Sequence, residues 1–383
     1  MENKWLSEAF KGEVPSDFQG KVGWQSPSNI ALVKYWGKKG KQIPQNPSIS
    51  FTLSECRSET FISFEKADRF GFSFFFEGKE NSAFGTKIEK FLLDNQAFFT
   101  FINQLNLKVE SRNTFPHSSG IASSASSMSA FVMGLVEIES LLVGPSTFRQ
   151  AQGSRALVDS VPEPSVPEPV EGPINLQKAS YFSRLASGSA ARSVFPMMAL
   201  WGATDCYKDS SDEYAVSLAD DIHPVFKTYR DSILIVSGEQ KSVSSRAGHA
   251  LMEGNPYAPA RYAKANDNIK TLLAALKSGD LDTFINITES EALQLHALMM
   301  CSSPSYILMK PNTLNLINEI REYRQETKIP LCFTLDAGPN VHLLYPESEA
   351  EKVEYYIKNV LADYCDRDRW IADHVGEGPK KLQ

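Results

Sequence analysis

The pentapeptide Asp336-Ala337-Gly338-Pro339-Asn340 lies between two apolar runs, 331–335 and 341–344. Gly followed by Pro favours a turn, and the apolar runs on either side are typical of buried strands. The sequence therefore predicts a strand-turn-strand unit that holds the Asp336 carboxylate in the turn, where a catalytic base could be held. Taken alone, an aspartate in a turn is more often a residue that caps backbone amides than a base.

Composition limits the class of protein. The chain has 383 residues, of which 42% are hydrophobic and 22% are charged, so it can form two lobes with a substantial core. Its formal net charge of −7 argues against a general nucleic-acid binder, because affinity for the phosphate backbone needs a broad excess of Lys and Arg. A local basic pocket remains compatible with this charge.

Cysteine usage and the N-terminal segment indicate the compartment. Five cysteines are scattered without CxxC spacing, and an odd number leaves at least one thiol unpaired, which favours a reducing, cytoplasmic setting. Residues 1–8 contain no apolar signal core, and no uninterrupted apolar stretch approaches the roughly 20 residues that span a bilayer. Neither export nor membrane insertion is indicated. His249, His296 and His342 lack the spacing of a metal site, so they are interpreted as structural and no zinc site is predicted.

Apolar spacing predicts an α+β protein, because strands and helices come in runs and do not alternate regularly. Aromatic-rich alternation over 60–76 predicts a two-stranded hairpin, and 232–237 predicts a buried strand. Helical spacing occurs at 87–105 (one helix or two short ones), at 128–142, from 178 to a break at 187–189, and at 261–277, 281–299, 312–324 and 349–362. Proline-rich residues 153–173, with the near repeat 161–165 and 166–170, predict an extended surface excursion.

A Gly/Ser-rich loop opens the helix at 128–142. Its members Ser119, Gly120, Ala122, Ser123 and Ser124 combine small side chains with free amides at a helix start, which suits phosphate binding. The loop is not a Walker A motif, because no Gly-Lys-Ser/Thr ends it. A Ser-rich helix cap explains this segment equally well when it is considered alone.

Basic residues form three further candidate anion sites. Lys34, Lys38, Lys39 and Lys41 surround Tyr35 and Trp36 directly after an apolar segment, although a solvated basic turn is the commoner explanation. Ser189 and Arg192 are spaced to share a helix face close to Ser187, and Ser244-Ser245-Arg246 repeats this chemistry. An arginine can hold a carboxylate or phosphate with two parallel hydrogen bonds, yet a surface arginine remains the plainer interpretation of each segment alone.

Considered together, segments 29–38, 119–126, 187–193, 244–246 and 336–340 resemble the diphosphomevalonate decarboxylase family of the GHMP kinase superfamily. They occur in the family's order and span most of the chain. The resemblance implies the α+β GHMP kinase fold, with the active site in a cleft between two lobes. The N-terminal lobe, 1–200, would resemble ribosomal protein S5 domain 2 and carry the insert 153–173. The C-terminal lobe, 201–383, would be ferredoxin-like and carry the aspartate turn.

The resemblance also implies an activity. It is the ATP-dependent decarboxylation of mevalonate 5-diphosphate to isopentenyl diphosphate, with release of ADP, phosphate and carbon dioxide after phosphorylation of the 3-hydroxyl. It further implies magnesium, a cytoplasmic homodimer and a role in isoprenoid synthesis, with no nucleic-acid or membrane partner.

Residue roles follow from the same resemblance. Asp336 would orient or deprotonate the 3-hydroxyl, Lys38 would neutralise the transferring phosphoryl group, and Arg192 would hold the substrate carboxylate. The substrate, chiefly its diphosphate, would be bound by Tyr35, Lys38, Ser187, Ser189, Arg192, Ser245 and Arg246. The nucleotide phosphates would be bound by Ser119, Gly120, Ala122, Ser123 and Ser124, and Ser124 would reach magnesium.

Two segments depart from the family pattern. The Pro-Glu repeat at 161–170 has no counterpart, and 247–254 differs from the usual continuation after Arg246, which leaves contacts beyond Arg246 open. Three other functions are compatible with the sequence: a mevalonate 3-kinase, a decarboxylase of another phosphorylated mevalonate, and a catalytically silent metabolite-binding relative. Asp336 with Lys38 favours the decarboxylase over the kinases, which lack the aspartate, and adding Arg192 argues against the silent relative.

Overall fold

The computed structural model describes residues 2–116, 121–143, 174–239 and 243–383. Two sequence-derived predictions lie outside these residues: the part of the Gly/Ser loop that contains Ser119 and Gly120, and the Pro-rich excursion 153–173.

The described elements are as follows. The strands are β1 Gln19–Val33, β2 Lys38–Lys39, β3 Ile43–Pro44, β4 Ser48–Lys66, β5 Gly71–Phe76, β6 Lys79–Glu80, β7 Leu105–Asn113, β8 Met198–Trp201, β9 Ala215–Ser217, β10 Arg230–Leu234, β11 Cys332–Thr334, β12 Val341–Tyr345, β13 Trp370–His374 and β14 Lys380–Lys381. The α-helices are α1 Glu2–Ser7, α2 Ser82–Asp94, α3 Ser123–Val143, α4 Leu176–Ala186, α5 Pro224–Lys227, α6 Ser245–Ala250, α7 Ala258–Ser278, α8 Leu281–Met300, α9 Pro311–Thr327 and α10 Ala350–Asn359. Short 3-10 helices occur at Thr100–Gln104, Gly188–Ala191, Glu347–Glu349, Leu361–Tyr364 and Asp366–Asp368.

A mixed sheet forms the first layer. Its strand order is β14-β1-β4-β7-β5-β6, and β8 pairs with the start of β4 and carries β9. The long strands β1 and β4 run antiparallel, so that the end of β1 lies beside the start of β4. Residues at 29–34 and 48–50 therefore lie together at one end of the sheet. β9 and β14 belong to this sheet although they follow residue 200, and the division into lobes at that residue stays a prediction.

The predicted hairpin over 60–76 is wrong. Both strands exist, as β4 and β5, but β7 lies between them and pairs antiparallel with β4 and parallel with β5. Leu105, Leu107 and Val109 alternate along β7 and are fully buried, so this strand fills the central position between two aromatic-rich neighbours. The helical pattern at 87–105 corresponds to two shorter elements, α2 and the 3-10 helix Thr100–Gln104.

Helix α3 packs against the first sheet as the sequence predicts. A Cβ added at Gly134 would lie 2.8 Å from the Ile62 side chain, so glycine allows close contact between helix and sheet. The helix is long and apolar enough to cross a membrane, but 72% of its apolar window is buried inside the protein. Its apolarity is therefore that of a core helix.

The second sheet has the order β11-β12-β10-β13 and carries the aspartate turn between β11 and β12. One face packs against helices through Leu343 and Phe333. The other face, which includes Ile233, packs against Ile30 and Val33 of β1. A buried core thus joins the two sheets and fixes the end of β1 close to the turn. Predicted helices 261–277, 281–299 and 312–324 are confirmed as parts of α7, α8 and α9.

Candidate active site

A cavity of about 570 Å³ lies where the end of β1, the start of α3, the segment 186–192, helix α6 and the β11–β12 turn meet. The sequence-predicted residues on its wall are Tyr35, Lys38, Ala122, Ser124, Ser187, Ser189, Arg192, Ser245, Arg246 and Asp336. Ser123 begins α3 next to this wall but is not part of it, while Ser119 and Gly120 lie outside the described residues. The fold therefore brings together segments that are as far apart in the chain as Lys34 and Asp336, which are separated by 302 residues.

The turn that carries Asp336 is held by its own Asn340 side chain and by side chains of α8 and α9. Asn340 accepts a hydrogen bond from the backbone N–H of Ser237 at 2.9 Å and donates to its carbonyl at 3.2 Å. Thr313 donates to the Pro339 carbonyl at 2.6 Å, and a ring nitrogen of His296 lies 3.0 Å from the Asp336 carbonyl. These contacts fix the backbone on both sides of the carboxylate.

Lys34 is the direct partner of the Asp336 carboxylate. Its Nζ lies 3.4 Å from Oδ1 of Asp336 and donates to the Ala31 carbonyl at 2.6 Å. Burial lowers the pKa of Lys34, and the negative charges of Asp336 and Glu291 partly offset this effect. Sequence analysis placed Lys34 in a basic cluster with Lys38. The structure gives the two lysines different settings on the same cavity, because Lys34 is buried beside Asp336 whereas Lys38 is only half-buried.

A buried carboxylate holds the backbone at Lys34. Glu291 on α8 accepts hydrogen bonds from the Lys34 backbone N–H at 2.8 Å, from Asn268 at 2.6 Å and from the Arg261 guanidinium. Glu291 and Arg261 are both buried and form an ion pair. Helices of the C-terminal half thus position the strand end that presents Lys34.

Arg192 lies fully inside the protein and is oriented by polar side chains of β1 and β4. Its Nε donates to Ser50 at 2.8 Å, Nη1 donates to Ser48, and Asn29 Oδ1 lies 3.3 Å from Nη2. Burial lowers the pKa of Arg192 to about 10, against the opposing effect of the Asp336 charge. The guanidinium has five N–H donors, and these contacts occupy three of them. Two donors remain for a ligand in the cavity.

Lys38 and Tyr35 form another part of the wall. Lys38 Nζ lies 5.9 Å from the centre of the Tyr35 ring, and burial followed by the positive charge of Arg246 lowers the pKa of Lys38 to about 8. The Tyr35 hydroxyl is buried and has no hydrogen-bond partner among the described residues, and burial raises its pKa. An unpaired buried hydroxyl on a cavity wall is a group that a polar ligand could satisfy.

The segment 187–192 follows α4 and is a 3-10 turn that presents Ser187, Ser189 and Arg192. Ser187 Oγ lies 3.4 Å from Ser124 Oγ at the start of α3. A Cβ at Gly188 would lie 2.8 Å from the Tyr35 hydroxyl, so glycine is needed where this turn approaches Tyr35. The predicted helix break at 187–189 therefore corresponds to a turn that brings the two predicted phosphate-binding segments together.

Several residues of the site were missed by sequence reasoning. Asn29, Ser48 and Ser50 orient Arg192, and Glu291 positions Lys34, but each acts through a partner more than 100 residues away in the chain. His249, which the sequence analysis assigned a structural role, lies on the cavity wall. Its one sequence signal was its place in the segment that departs from the family pattern.

Comparisons with known proteins identify the class and the family. Family models for a diphosphomevalonate decarboxylase-like N-terminal domain and a mevalonate 5-diphosphate decarboxylase C-terminal domain match residues 26–155 and 232–381, together well over half of the chain. A diphosphomevalonate decarboxylase from Ganoderma lucidum is 28% identical over 361 residues, which cover 86% of this chain and 79% of the relative.

Two solved structures share the fold. The mevalonate diphosphate decarboxylase from Enterococcus faecalis, in a study of mevalonate diphosphate mediated ATP binding, superposes with a TM-score of 0.74 at 23% identity, covering 96% of this chain and all of the other. A complex of MDDEF with MVAPP, AMPPCP and magnesium gives a TM-score of 0.74 at 24% identity with the same coverage. The fold is thus that of the GHMP kinases, α+β with a cleft. Within this class, the chain belongs to the diphosphomevalonate decarboxylase family.

Proposed function

We propose that this protein phosphorylates the 3-hydroxyl of mevalonate 5-diphosphate with ATP and then releases phosphate and carbon dioxide to give isopentenyl diphosphate. The observation that carries this proposal is the convergence of Asp336, Lys34, Lys38 and Arg192 on one cavity. These residues match the three functional groups of this substrate. The protein carboxylate can act on the substrate hydroxyl, the cations can bind its phosphates, and the buried arginine can bind its carboxylate. Family membership supports the same reaction.

Asp336 is the residue proposed to act on the hydroxyl. Its Oδ1 faces Lys34, and its side chain is 25% exposed, so the other carboxylate oxygen can reach a ligand in the cavity. Accepting or orienting the hydroxyl proton prepares the oxygen to attack the γ-phosphate, since positioning and electrostatic stabilisation supply most of the catalysis in phosphoryl transfer.

Arg192 is proposed to bind the substrate carboxylate, and Lys38 is proposed to bind phosphate groups. The two remaining N–H donors of Arg192 can hold the substrate carboxylate through parallel hydrogen bonds. This fixes the carbon–carbon bond that breaks. Lys38, together with Arg246 and Ser245, adds positive charge and donors for phosphate groups elsewhere on the cavity wall.

ATP and magnesium are proposed cofactors of this site. Ser124 and Ser187 present hydroxyls 3.4 Å apart at the start of α3, where backbone amides also favour phosphate. Within the described residues no group of three or more His, Cys, Asp or Glu forms a metal cluster. Magnesium usually takes one or two protein oxygens together with phosphates and water, so Ser124 and Asp336 are chemically suitable donors. Bound magnesium would neutralise the nucleotide phosphates.

The pathway, the cellular location and the oligomeric state of the enzyme are also part of the proposal. The isoprenoid pathway, a cytoplasmic location and a homodimer accord with family membership and with the scattered cysteines, of which Cys56, Cys332 and Cys365 are buried and free. Neither nucleic acid nor membrane is proposed as a partner.

A substrate comparison tests the proposed function. Purified protein with magnesium and ATP is given mevalonate, mevalonate 5-phosphate or mevalonate 5-diphosphate in parallel, and ADP release is followed. Release that depends on the diphosphate supports the proposal. Preference for another mevalonate derivative would reassign the substrate, and absence of release with all three would favour a silent metabolite binder.

A further inference from the structure

His249 lies on α6, three residues after Arg246, in the segment that departs from the family pattern. Its ring packs against Tyr35 and Trp36, with centroid distances of 4.5 and 4.4 Å, and forms part of the cavity wall. A Cβ at Gly248 would lie 2.5 Å from the Trp36 ring. Glycine at 248 therefore lets α6 approach closely enough to place the imidazole between these aromatic rings.

The backbone fixes the protonation of His249. The Gly37 N–H donates to Nδ1 at 2.9 Å. Gly37 has φ +94°, and a Cβ there would lie 2.1 Å from the Tyr262 hydroxyl, so this donor depends on glycine. Burial, with the nearby positive charge of Lys38, lowers the pKa of His249 well below its usual range. A neutral imidazole that accepts at Nδ1 carries its proton on Nε2.

The Nε2–H is available to a ligand. Among the described residues, no hydrogen bond involves Nε2 of His249. This nitrogen is also absent from the unpaired side-chain atoms that are fully buried, so it retains some solvent exposure. It therefore opens toward the cavity that the residue lines. A buried aromatic setting with one outward N–H makes His249 a directional, uncharged hydrogen-bond donor.

We infer that His249 determines specificity for the substrate diphosphate by donating its Nε2–H to a phosphate oxygen. This inference rests on the proposed function and names a residue that contacts the same substrate. Lys38 and Arg246 share the wall with His249, and both also line a neighbouring cavity of about 590 Å³ together with Lys41 and Asp94. A terminal phosphate bound beside His249 would face Lys38 and Arg246.

A neutral donor suits this position. The positive charge of Arg246 already lies close enough to Lys38 to contribute, after burial, to the lowered pKa of Lys38. A third cation would increase that repulsion in a buried site, whereas an N–H adds a hydrogen bond without charge. A hydrogen bond to a charged group contributes about 10- to 100-fold in affinity.

Two variants separate this role from packing. In H249N the amide oxygen can replace Nδ1 as acceptor for Gly37, but no donor reaches the Nε2 position. In H249Q the longer side chain can place an amide N–H there. The half-buried His374 on β13, which is not part of the cavity wall, provides the control H374N. Calorimetric Kd values for mevalonate 5-diphosphate and mevalonate 5-phosphate are measured for all four proteins, with kcat and KM.

The expected result is a 10-fold or greater loss of diphosphate affinity in H249N, seen in Kd and KM more than in kcat. Monophosphate affinity should change much less, H249Q should recover most of the loss, and H374N should match the wild type. Unchanged diphosphate binding in H249N, equal loss in both variants, or equal loss for both ligands would overturn the inference. The binding data test His249 even without turnover, whereas absence of turnover in the wild type would contradict only the proposed function.

Discussion

The ammonium of Lys34 lies 3.4 Å from a carboxylate oxygen of Asp336, although 302 residues separate them in the chain. Lys34 is 2% exposed, so its charge depends on a nearby anion and on the Ala31 carbonyl. The contact joins the end of β1 to the turn between β11 and β12. The catalytic carboxylate proposed here is therefore held by a lysine, and either residue is sensitive to loss of the other.

Replacement of Asp336 by Asn tests the role of the carboxylate. The amide keeps the size of the side chain but cannot accept the hydroxyl proton, so kcat should fall by about 10²- to 10⁴-fold. Calorimetry should still detect binding of ATP and mevalonate 5-diphosphate. The exposed Asp363 offers a control, since D363N should leave kcat unchanged. Near-normal turnover of D336N would remove Asp336 from the chemistry.

The lowered pKa of Lys38 predicts that KM for the diphosphate depends on pH. Its pKa in the folded protein is lowered to about 8, so the free enzyme loses this ammonium as pH rises through 8. The charged form binds anions, and KM for the diphosphate should therefore rise above pH 8 while it stays flat below. K38R keeps its charge across this range and should lack that alkaline rise. KM measured from pH 6 to 10 checks both enzymes, and identical profiles would contradict the assignment.

Arg192→Lys tests the geometry of the guanidinium. A lysine keeps positive charge but cannot donate to Ser48, Ser50 and a substrate carboxylate together. We expect kcat/KM to fall by about 10²-fold or more, which corresponds to the loss of a charge-assisted bidentate contact. Circular dichroism would verify that the variant is folded. A kcat/KM within threefold of wild type would show that charge alone suffices.

Glu291→Gln tests the buried carboxylate that pairs with Arg261 and accepts a hydrogen bond from the Lys34 backbone. The change leaves the Arg261 guanidinium buried without its carboxylate, so the free energy of unfolding should fall by about 3–5 kcal/mol in urea titrations. Glu289 provides a matched control on the same helix, because its partners Arg321 and Arg324 are 44% and 25% exposed. E289Q should lose less stability. Equal losses would show that Glu291 has no special role.

Much of the secondary structure could be predicted from local pattern. Apolar spacing identified helices such as α7 and α8, and turn residues identified the strand-turn-strand unit at Asp336. Strand partners could not be predicted in this way. The alternation in β4 and β5 is real, but only the chain as a whole determines that β7 lies between them.

The same distinction between local pattern and long-range contact applies to the residues of the candidate site. Residues that form short motifs, such as Lys38, Arg192 and Asp336, could be nominated from sequence and resemblance, and the structure places them on one cavity wall. Lys34 could not be separated from its basic neighbours, because its partner is remote in the chain. His249 depends on a hydrogen bond from a glycine in left-handed conformation, a relationship that no local pattern expresses.

Coupled product release tests the central claim most directly. The protein is incubated with magnesium, ATP and mevalonate 5-diphosphate labelled at the carboxyl carbon, and ADP and labelled carbon dioxide are measured in the same sample. The account predicts equal amounts of both products, and both should fall together by about 10²- to 10⁴-fold with D336N. ADP without carbon dioxide would show a 3-kinase and contradict the account.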